Sequence, residues 1–192
     1  MKKDIILAGV GGQGILSIAF VIDNAAMKQG LFFKQAEVHG MAQRGGAVQS
    51  HLRYSDEEIY SDLVPRGKAD IILGVEPLES LRYLDYLAPE GIVISSSKPF
   101  INIPDYPGID LVLDKIRALK NHVLVDSEAL AKEAGSVRAQ NMVMVGAASR
   151  FLGLEEASLL EYVKQLFAPK GEKLVDLNVK AFQLGKGAAA AA

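Results

Sequence analysis

Apolar residues follow two different periodicities along this chain. Residues 4–8 form a continuous apolar run that stops at a glycine, which is typical of a strand buried on both faces. From residue 14 to residue 29 the apolar positions recur at helical spacing, and Gly30 is a typical helix stop. The chain therefore begins with a strand, a glycine-rich turn and a helix.

The same alternation continues to the end of the chain. The patterns predict further strands at residues 31–38, 47–54, 69–75, 92–94 and 123–125. They predict further helices at residues 76–87, 109–120, 128–134, 138–151, 154–167 and 172–184. Strands that alternate with helices indicate an α/β protein. We expect a three-layer α/β/α arrangement, with a Rossmann-like, mainly parallel sheet and a helical C-terminal tail.

Three segments depart from the simple alternation. In residues 47–54 apolar and polar positions alternate, so this strand should be half-exposed and antiparallel to its neighbours. Residues 89–91, Pro-Glu-Gly, are typical of a turn. The prolines in residues 97–110 predict an irregular surface connection.

Length and composition limit the organisation of the protein. The 192 residues, 49% of them hydrophobic, suit one domain with a substantial core. We assign residues 1–187 to that domain and set aside residues 188–192, a low-complexity run of alanines.

Charge and cysteine content exclude several functional classes. The 21 lysines and arginines nearly balance the 23 aspartates and glutamates, so nothing indicates a nucleic-acid or membrane-surface partner. The absence of cysteine excludes a disulfide, a cysteine-held iron-sulfur cluster and a thiol nucleophile in this chain. The first apolar run is broken by glycines and has no cleavage pattern, and no apolar run approaches membrane-spanning length. We therefore expect a cytoplasmic protein.

The glycine-rich turn after the first strand is the first candidate site. Glycines let the backbone approach an anion closely, and the N–H groups at a helix start stabilise negative charge. The alternative is a tight turn without a ligand. The candidate residues are Gly11, Gly12, Gln13 and Gly14.

The segment from Glu37 to Gly46 is the second candidate. Arg44 offers a planar donor fork for carboxylate or phosphate, and His39 can exchange a proton or form a hydrogen bond. A surface loop with a structural arginine is the alternative. The candidate residues are His39, Gly40, Gln43, Arg44, Gly45 and Gly46.

Other signals are weaker. Glu76 follows a buried strand at the carboxyl edge of the predicted sheet and could face the same crevice, although its alternative role is to compensate charge at a helix start. Asn141 begins an apolar helix and should hydrogen-bond a neighbouring loop. No metal-ligand spacing, nucleophile elbow or Ser/His/Asp set is present.

Four stretches carry a resemblance to a known family. The sequence resembles the gamma-type domain of the pyruvate/2-oxoacid:ferredoxin oxidoreductases over nearly the whole chain, and HGMAQRGG is the most specific element. A free-standing chain of this size without cysteines is most similar to the beta subunits of the indolepyruvate branch. The matching stretches are GVGGQGI at 9–15, EVHGMAQRGGAV at 37–48, ILGVEPLE at 72–79 and QNMVMVGA at 140–147.

The resemblance implies a reaction and a partner. The reaction would be oxidative decarboxylation of an aryl 2-oxoacid such as indolepyruvate with coenzyme A as co-substrate, with electrons passed to ferredoxin. The chain would be inactive alone and would itself hold no cofactor or metal. Thiamine diphosphate and the iron-sulfur clusters would belong to a larger alpha subunit, through which ferredoxin is reached indirectly. The two glycine-rich loops would contact ligand or partner.

Two alternatives remain open. A nicotinamide- or flavin-binding Rossmann-like oxidoreductase would need an acidic residue at the end of the second strand, and Glu37 is the only candidate there. A non-catalytic assembly subunit would use the same loops only as an interface. The sequence does not distinguish among 2-oxoacids or set the stoichiometry of the complex.

Overall fold

The computed structural model describes residues 1–39, 45–101 and 103–190. The strands are β1 Lys2–Val10, β2 Phe32–His39, β3 Ala47–Ser55, β4 Ala69–Gly74, β5 Leu87–Ser96 and β6 His122–Val125. The helices are α1 Ile15–Lys28, α2 Pro77–Arg82, α3 Ile109–Arg117, α4 Ser127–Ala134, α5 Gln140–Leu152, α6 Glu156–Phe167 and α7 Glu172–Ala190. Short 3₁₀ turns cover Leu84–Tyr86, Val137–Ala139 and Ala168–Lys170.

The strands form one mixed sheet in the order β2-β3-β1-β4-β5-β6. β1, β4, β5 and β6 run parallel, whereas β3 is antiparallel to both β1 and β2. The predicted α/β fold with a mainly parallel sheet is confirmed, and so is the antiparallel direction of β3. The carboxyl ends of β1, β4, β5 and β6, together with the end of β2 and the start of β3, lie at one edge, which we call the carboxyl edge.

Both faces of the sheet are covered, as the continuous apolar run of β1 predicts. Ile5 and Leu7 point into the larger core, which contains residues of α1, α4, α5, α6 and α7. Ile6 points into a smaller core that includes Ile116 of α3. Successive side chains of a strand point to opposite faces, so β1 is buried on both sides.

The predicted helix at residues 76–87 is present but ends early, and the predicted turn at residues 89–91 is wrong. α2 ends at Arg82, and β5 already begins at Leu87 and runs through Pro89 and Gly91. A Cβ atom on Gly91 would lie 2.7 Å from the carbonyl oxygen of Ala69, where the pairing of β4 and β5 shifts register. Glycine is therefore needed for close strand contact here, and its presence does not mark a turn.

The polar face of β3 is not exposed, contrary to expectation. His51 and Arg53 are both buried beneath the segment from residue 56 to residue 64. The backbone N–H of Val64 donates to Nδ1 of His51 at 3.1 Å. Burial and the nearby Arg53 charge lower the pKa of His51, which keeps this acceptor nitrogen unprotonated.

The C-terminal helix is longer than predicted and packs closely on α5. α7 continues to Ala190, and Ala189 is buried, so part of the alanine run forms the last turn of this helix. A Cβ atom on Gly146 would lie 1.9 Å from the carbonyl oxygen of Phe182, and one on Gly185 would lie 1.9 Å from that of Val143. These two glycines let the helix backbones touch. No helix within the described residues has the length and apolar character needed to span a bilayer.

Candidate functional site

The first glycine-rich loop, residues 11–14, leaves β1 at the carboxyl edge and leads into α1. Gly12 and Gly14 have φ values of +99° and +80°, a region that side chains disfavour. The Gln13 side chain accepts a hydrogen bond from the Val10 N–H at 2.8 Å and donates one to the Val75 carbonyl at 3.4 Å. Gln13 thus ties the loop to the ends of β1 and β4.

Only part of the loop backbone remains available to a ligand. The Gly11 N–H donates to the Gly46 carbonyl at 2.8 Å, and the Gln13 N–H donates to the Val10 carbonyl at 3.1 Å. Within the described part of the chain, the N–H groups of Gly12 and Gly14 have no such partner. An anion at the start of α1 would therefore meet these two N–H groups.

The second loop ends beside the first. The Gly45 N–H donates to the Gly11 carbonyl at 3.3 Å, which complements the bond from Gly11 to Gly46. The backbone of His39 closes β2 opposite Val48. Gly40, Gln43 and Arg44 lie outside the described residues. The structure therefore joins the end of the second loop to the first loop at the carboxyl edge.

Asn141 packs against the first loop from the start of α5. Its side chain is buried, and a Cβ atom on Gly14 would lie 2.9 Å from its Nδ2 atom. Its Oδ1 atom accepts from the backbone N–H of Met142 at 3.0 Å. Asn141 is thus a neighbour of the first loop, although residues 14 and 141 are far apart in sequence.

Glu76 is used as a structural cap. One carboxylate oxygen accepts from the Glu79 N–H at 2.8 Å at the start of α2. The other accepts from the Phe100 N–H at 3.3 Å and from the Tyr106 hydroxyl. Burial and this hydrogen bond raise the pKa of Tyr106, so its hydroxyl keeps the proton that it donates. Glu76 therefore holds the proline-rich connection against the end of β4.

A cavity of about 490 Å³ opens at the carboxyl edge. None of its lining residues is acidic, and one, Arg138, is basic, so the cavity favours anions. Gln140 is held in its wall because the Ser127 hydroxyl donates to its Oε1 at 3.1 Å. The lining residues are Gly12, Gln13, Gly14, Val75, Phe100, Val137, Arg138, Gln140 and Asn141.

Sequence reasoning found only part of this lining. It selected the first loop and Asn141, but it missed Arg138, Phe100 and Val137. Arg138 stands three residues before Asn141, at the start of a predicted helix, and that proximity was the only signal available. Phe100 lies in the proline-rich connection, for which periodicity gives no information.

No group of three or more His, Cys, Asp or Glu side chains among the described residues could bind a metal ion. The geometry also disfavours the dinucleotide alternative, because β3 lies between β1 and β2. Glu37 is therefore two strands away from β1, roughly 10 Å, whereas a ribose-binding acid belongs on the adjacent strand.

The fold and the site together define a class of protein. It is an α/β protein whose first glycine-rich loop lies beside a cavity with one basic and no acidic lining residue. Residues 4–188 match the family described as pyruvate ferredoxin/flavodoxin oxidoreductase. The chain belongs to this family, which confirms the predicted resemblance.

Curated relatives cover almost the whole chain. An indolepyruvate oxidoreductase subunit IorB from Pyrococcus horikoshii is 39% identical over 98% of this chain and 97% of its own length. A protein of the same name from Methanothermobacter thermautotrophicus is 36% identical over 99% of both chains. More distant is the 2-oxoglutarate synthase subunit KorC from Methanothermobacter marburgensis, at 29% identity.

Solved structures agree with the fold. A 2-oxoglutarate:ferredoxin oxidoreductase from Magnetococcus marinus, with coenzyme A among its bound ligands, superposes with a TM-score of 0.79 at 27% identity. The match covers all of this chain but only 31% of that chain, so this protein corresponds to about a third of that enzyme chain. A pyruvate oxidoreductase subunit from Thermotoga maritima superposes with a TM-score of 0.74 at 20% identity, which supports the fold alone.

Proposed function

We propose that this chain is the small subunit of an indolepyruvate:ferredoxin oxidoreductase. The observation that carries this proposal is the 39% identity to an indolepyruvate oxidoreductase subunit over nearly the full length of both chains. The assembled enzyme would convert an aryl 2-oxoacid and coenzyme A to an aryl-acetyl-CoA and carbon dioxide, with electrons passed to ferredoxin. The enzyme would act in the cytoplasm.

The chemistry of this chain supports a division of labour between subunits. Cysteine thiolates are the usual ligands of iron-sulfur clusters, and the chain has none. A larger alpha subunit would therefore hold the thiamine diphosphate and the clusters. Ferredoxin would receive electrons from that subunit and would not contact this chain directly.

The carboxyl-edge loops would serve the anionic reactants. The carboxylate of a 2-oxoacid and the phosphates of coenzyme A both need donors. The N–H groups of Gly12 and Gly14 at the start of α1 are suited to such a group. Arg44 would add a bidentate donor. The cavity beside this loop has no acidic lining residue to repel the reactants.

The first experiment compares this chain alone, a candidate alpha subunit alone and the two purified together. Viologen-dye or ferredoxin reduction is followed with indolepyruvate and coenzyme A. Reduction only by the mixture is expected. Reduction by the alpha subunit alone at the same rate, or no association of the two chains, would exclude the proposal. Pyruvate and a branched-chain oxoacid in the same assay measure substrate preference.

A second experiment tests the role of Arg44. Arg44→Ala in the assembled enzyme should raise the KM of coenzyme A or of indolepyruvate by about ten- to hundredfold, because a charged hydrogen bond is worth about 1.5–3 kcal/mol. Arg117→Ala is the matched control, since Arg117 is exposed on α3 and pairs only with Asp114 among the described residues. Unchanged KM values and unchanged subunit association would show that Arg44 has no such role.

A further inference from the structure

β2 is the outermost strand on one side of the sheet. It pairs with β3, and among the described residues no strand lies on its outer side. Backbone N–H and C=O groups point outward at alternate residues of such a strand, so a further strand can pair with it. None of the residues that line the carboxyl-edge cavity belongs to β2, so the outer side of this strand is separate from that cavity.

The two outermost strands of the sheet differ in how well they resist further pairing. Proteins usually protect an edge strand by making it short, or by placing a proline or a bulge in it. β6, on the other side, has only four residues. β2 has eight residues, contains no proline or glycine, and pairs with β3 without a shift of register. A long and regular edge strand is suited to pairing with a strand of another chain.

Two exposed apolar side chains lie on one face of β2. Phe33 packs against the larger core, so Phe32 and Val38 point to the opposite face. Phe32 is 53% exposed and Val38 is 47% exposed. They stand three residues before and three residues after Gln35. If two copies of β2 paired antiparallel about a two-fold axis at Gln35, Phe32 of each copy would therefore lie opposite Val38 of the other.

The charge of Lys34 favours this register over its neighbours. An axis at Lys34 would place the two ammonium groups directly opposite each other, which is destabilising. An axis at Ala36 would place Val38 opposite Lys34 and leave Phe32 beyond the end of the other strand. With the axis at Gln35, Lys34 lies opposite Ala36 and keeps its ion pair with Asp62 of its own chain, at 3.6 Å. The strand is therefore complementary to itself in this register.

We infer that two copies of this chain associate through antiparallel pairing of their β2 strands, with the two-fold axis at Gln35. The two sheets then form one continuous sheet across the dimer, and the same surface of each copy is used, as in most symmetric dimers. This inference goes beyond the proposed function, because that proposal joins the chain to a different subunit. An assembled enzyme built in this way contains the small subunit in pairs.

Sedimentation equilibrium of the full chain tests this inference. A monomer–dimer equilibrium is expected within about 1–100 µM, because the pairing of two short strands makes a small interface. Phe32→Lys and Val38→Asp should each weaken dimerisation about tenfold, since a charge would then face an apolar side chain of the other copy. Leu111→Asp is the matched control, because Leu111 is exposed on α3, outside the sheet. A monomer throughout this range, or equal dimerisation of all three variants, would overturn the inference.

A double variant tests the register. Phe32→Lys combined with Val38→Asp places a lysine of each copy opposite an aspartate of the other, so dimerisation should recover relative to both single variants. Circular dichroism confirms that each variant is folded. If the folded double variant dimerised no better than the single variants, the two positions would not face each other and the inference would be refuted.

Cysteine cross-linking locates the two-fold axis directly. The chain has no cysteine of its own, so a single introduced thiol reports only on its own neighbour. Gln35→Cys should give a disulfide-linked dimer on mild oxidation, because residues directly opposite each other have Cα atoms about 4.5–5.5 Å apart. Val38→Cys is the control, since its two copies would be separated by six residues along the strands, roughly 20 Å. Failure of Gln35→Cys to cross-link, or equal cross-linking of both variants, would contradict the inference.

Discussion

A cavity lies at each end of the parallel strands of the central sheet. The two cavities are similar in size but differ in the charged residues that line them. The cavity at the carboxyl edge is lined by backbone, amide and apolar groups and by Arg138, without an acidic residue. The cavity at the other edge, about 440 Å³, mixes acidic and basic residues, among them Asp70, Glu90, Lys3 and Lys120. Lys120 and Glu90 form an ion pair there at 2.7 Å. One edge therefore leaves donors available, whereas the other contains charges of both signs, two of which pair with each other.

This difference indicates that residues at one edge contribute mainly to stability and residues at the other mainly to ligand binding. Charges near the amino ends of the parallel strands interact mainly with each other, so their loss should be felt in folding. Donors at the carboxyl edge stabilise little by themselves, so their loss should be felt in binding. Four substitutions test this separation when stability and activity are both measured for each.

The largest effect is expected at the buried ion pair of Arg53 and Asp4. Their side chains are 9% and 3% exposed and lie 2.6 Å apart, and Arg53 also donates to the Ser61 and Leu63 carbonyls. Arg53→Ala should lower the free energy of unfolding by about 3–5 kcal/mol, because it leaves the buried Asp4 with only the exposed ammonium group of Lys2 as an ionic partner. Urea denaturation measures the loss, and the KM values of the folded assembled enzyme should not change.

A double variant serves as the control for this pair. Asp4→Asn together with Arg53→Met removes both charges and should destabilise the protein less than Arg53→Ala alone. If the double variant were the less stable of the two, the loss would have to come from packing and not from an unpaired charge.

The second effect concerns Asp23, which lies on α1 and is 4% exposed, with no partner for its Oδ1 atom among the described residues. Burial raises the pKa of this carboxyl group to about 7 from 3.8. As pH rises from about 4 to about 7, the unfolded chain loses the proton before the folded one, so stability falls across this window and stays low above it.

Asp23→Asn should remove this penalty. At pH 8 the variant should be more stable than the parent chain by about 2–4 kcal/mol, and the difference should shrink as pH approaches 4. Thermal unfolding at several pH values measures it. Parallel stability curves for the two chains across this pH range would contradict a buried, titrating carboxyl group.

The third substitution tests the backbone of the first glycine-rich loop beside the carboxyl-edge cavity. Gly14→Ala forces a side chain onto a φ of +80° and places its Cβ atom 2.9 Å from Nδ2 of Asn141. Assembled-enzyme activity should fall on the order of 100-fold, because both walls of the carboxyl-edge cavity must shift. Steady-state dye reduction measures the loss.

Gly30 offers a matched control for this substitution. Gly30 follows the C-terminal end of α1 and has a similar φ of +75°. A Cβ atom there would have no neighbouring heavy atom within 4 Å. Gly30→Ala should therefore cost about 1–2 kcal/mol of stability, as Gly14→Ala also should, but leave activity unchanged. A loss of activity in both variants would mean that the effect is global.

The smallest effect is expected from the exposed ion pair at the opposite edge. Lys120→Ala removes the partner of Glu90, and both side chains are mostly exposed. The unfolding free energy should change by less than about 1 kcal/mol, and neither KM nor kcat should change. Chemical denaturation and steady-state kinetics together check this. A clear change in KM would mean that the cavity at this edge also takes part in binding.

Most of the fold could be predicted because burial leaves a periodic pattern. The strand, turn and helix at the start were predicted to within two or three residues, since β1 is apolar on both faces and α1 is apolar on one. The segment around Gly91 could not be predicted, because a glycine needed for strand contact looks in sequence like a glycine needed for a turn. The polar alternation of β3 was misleading for a similar reason, since His51 and Arg53 find their partners far along the chain.

The sequence by itself determined the fold class, the family and the identity of the first loop, since apolar periodicity and glycine spacing are local properties. Only the tertiary structure brought Asn141 to Gly14, joined Glu76 to Phe100 and Tyr106, and placed Arg138, Lys170 and Asn178 around one cavity. Those contacts depend on which helix packs against which strand. That choice is made by the summed burial of many side chains, which no single stretch of sequence records.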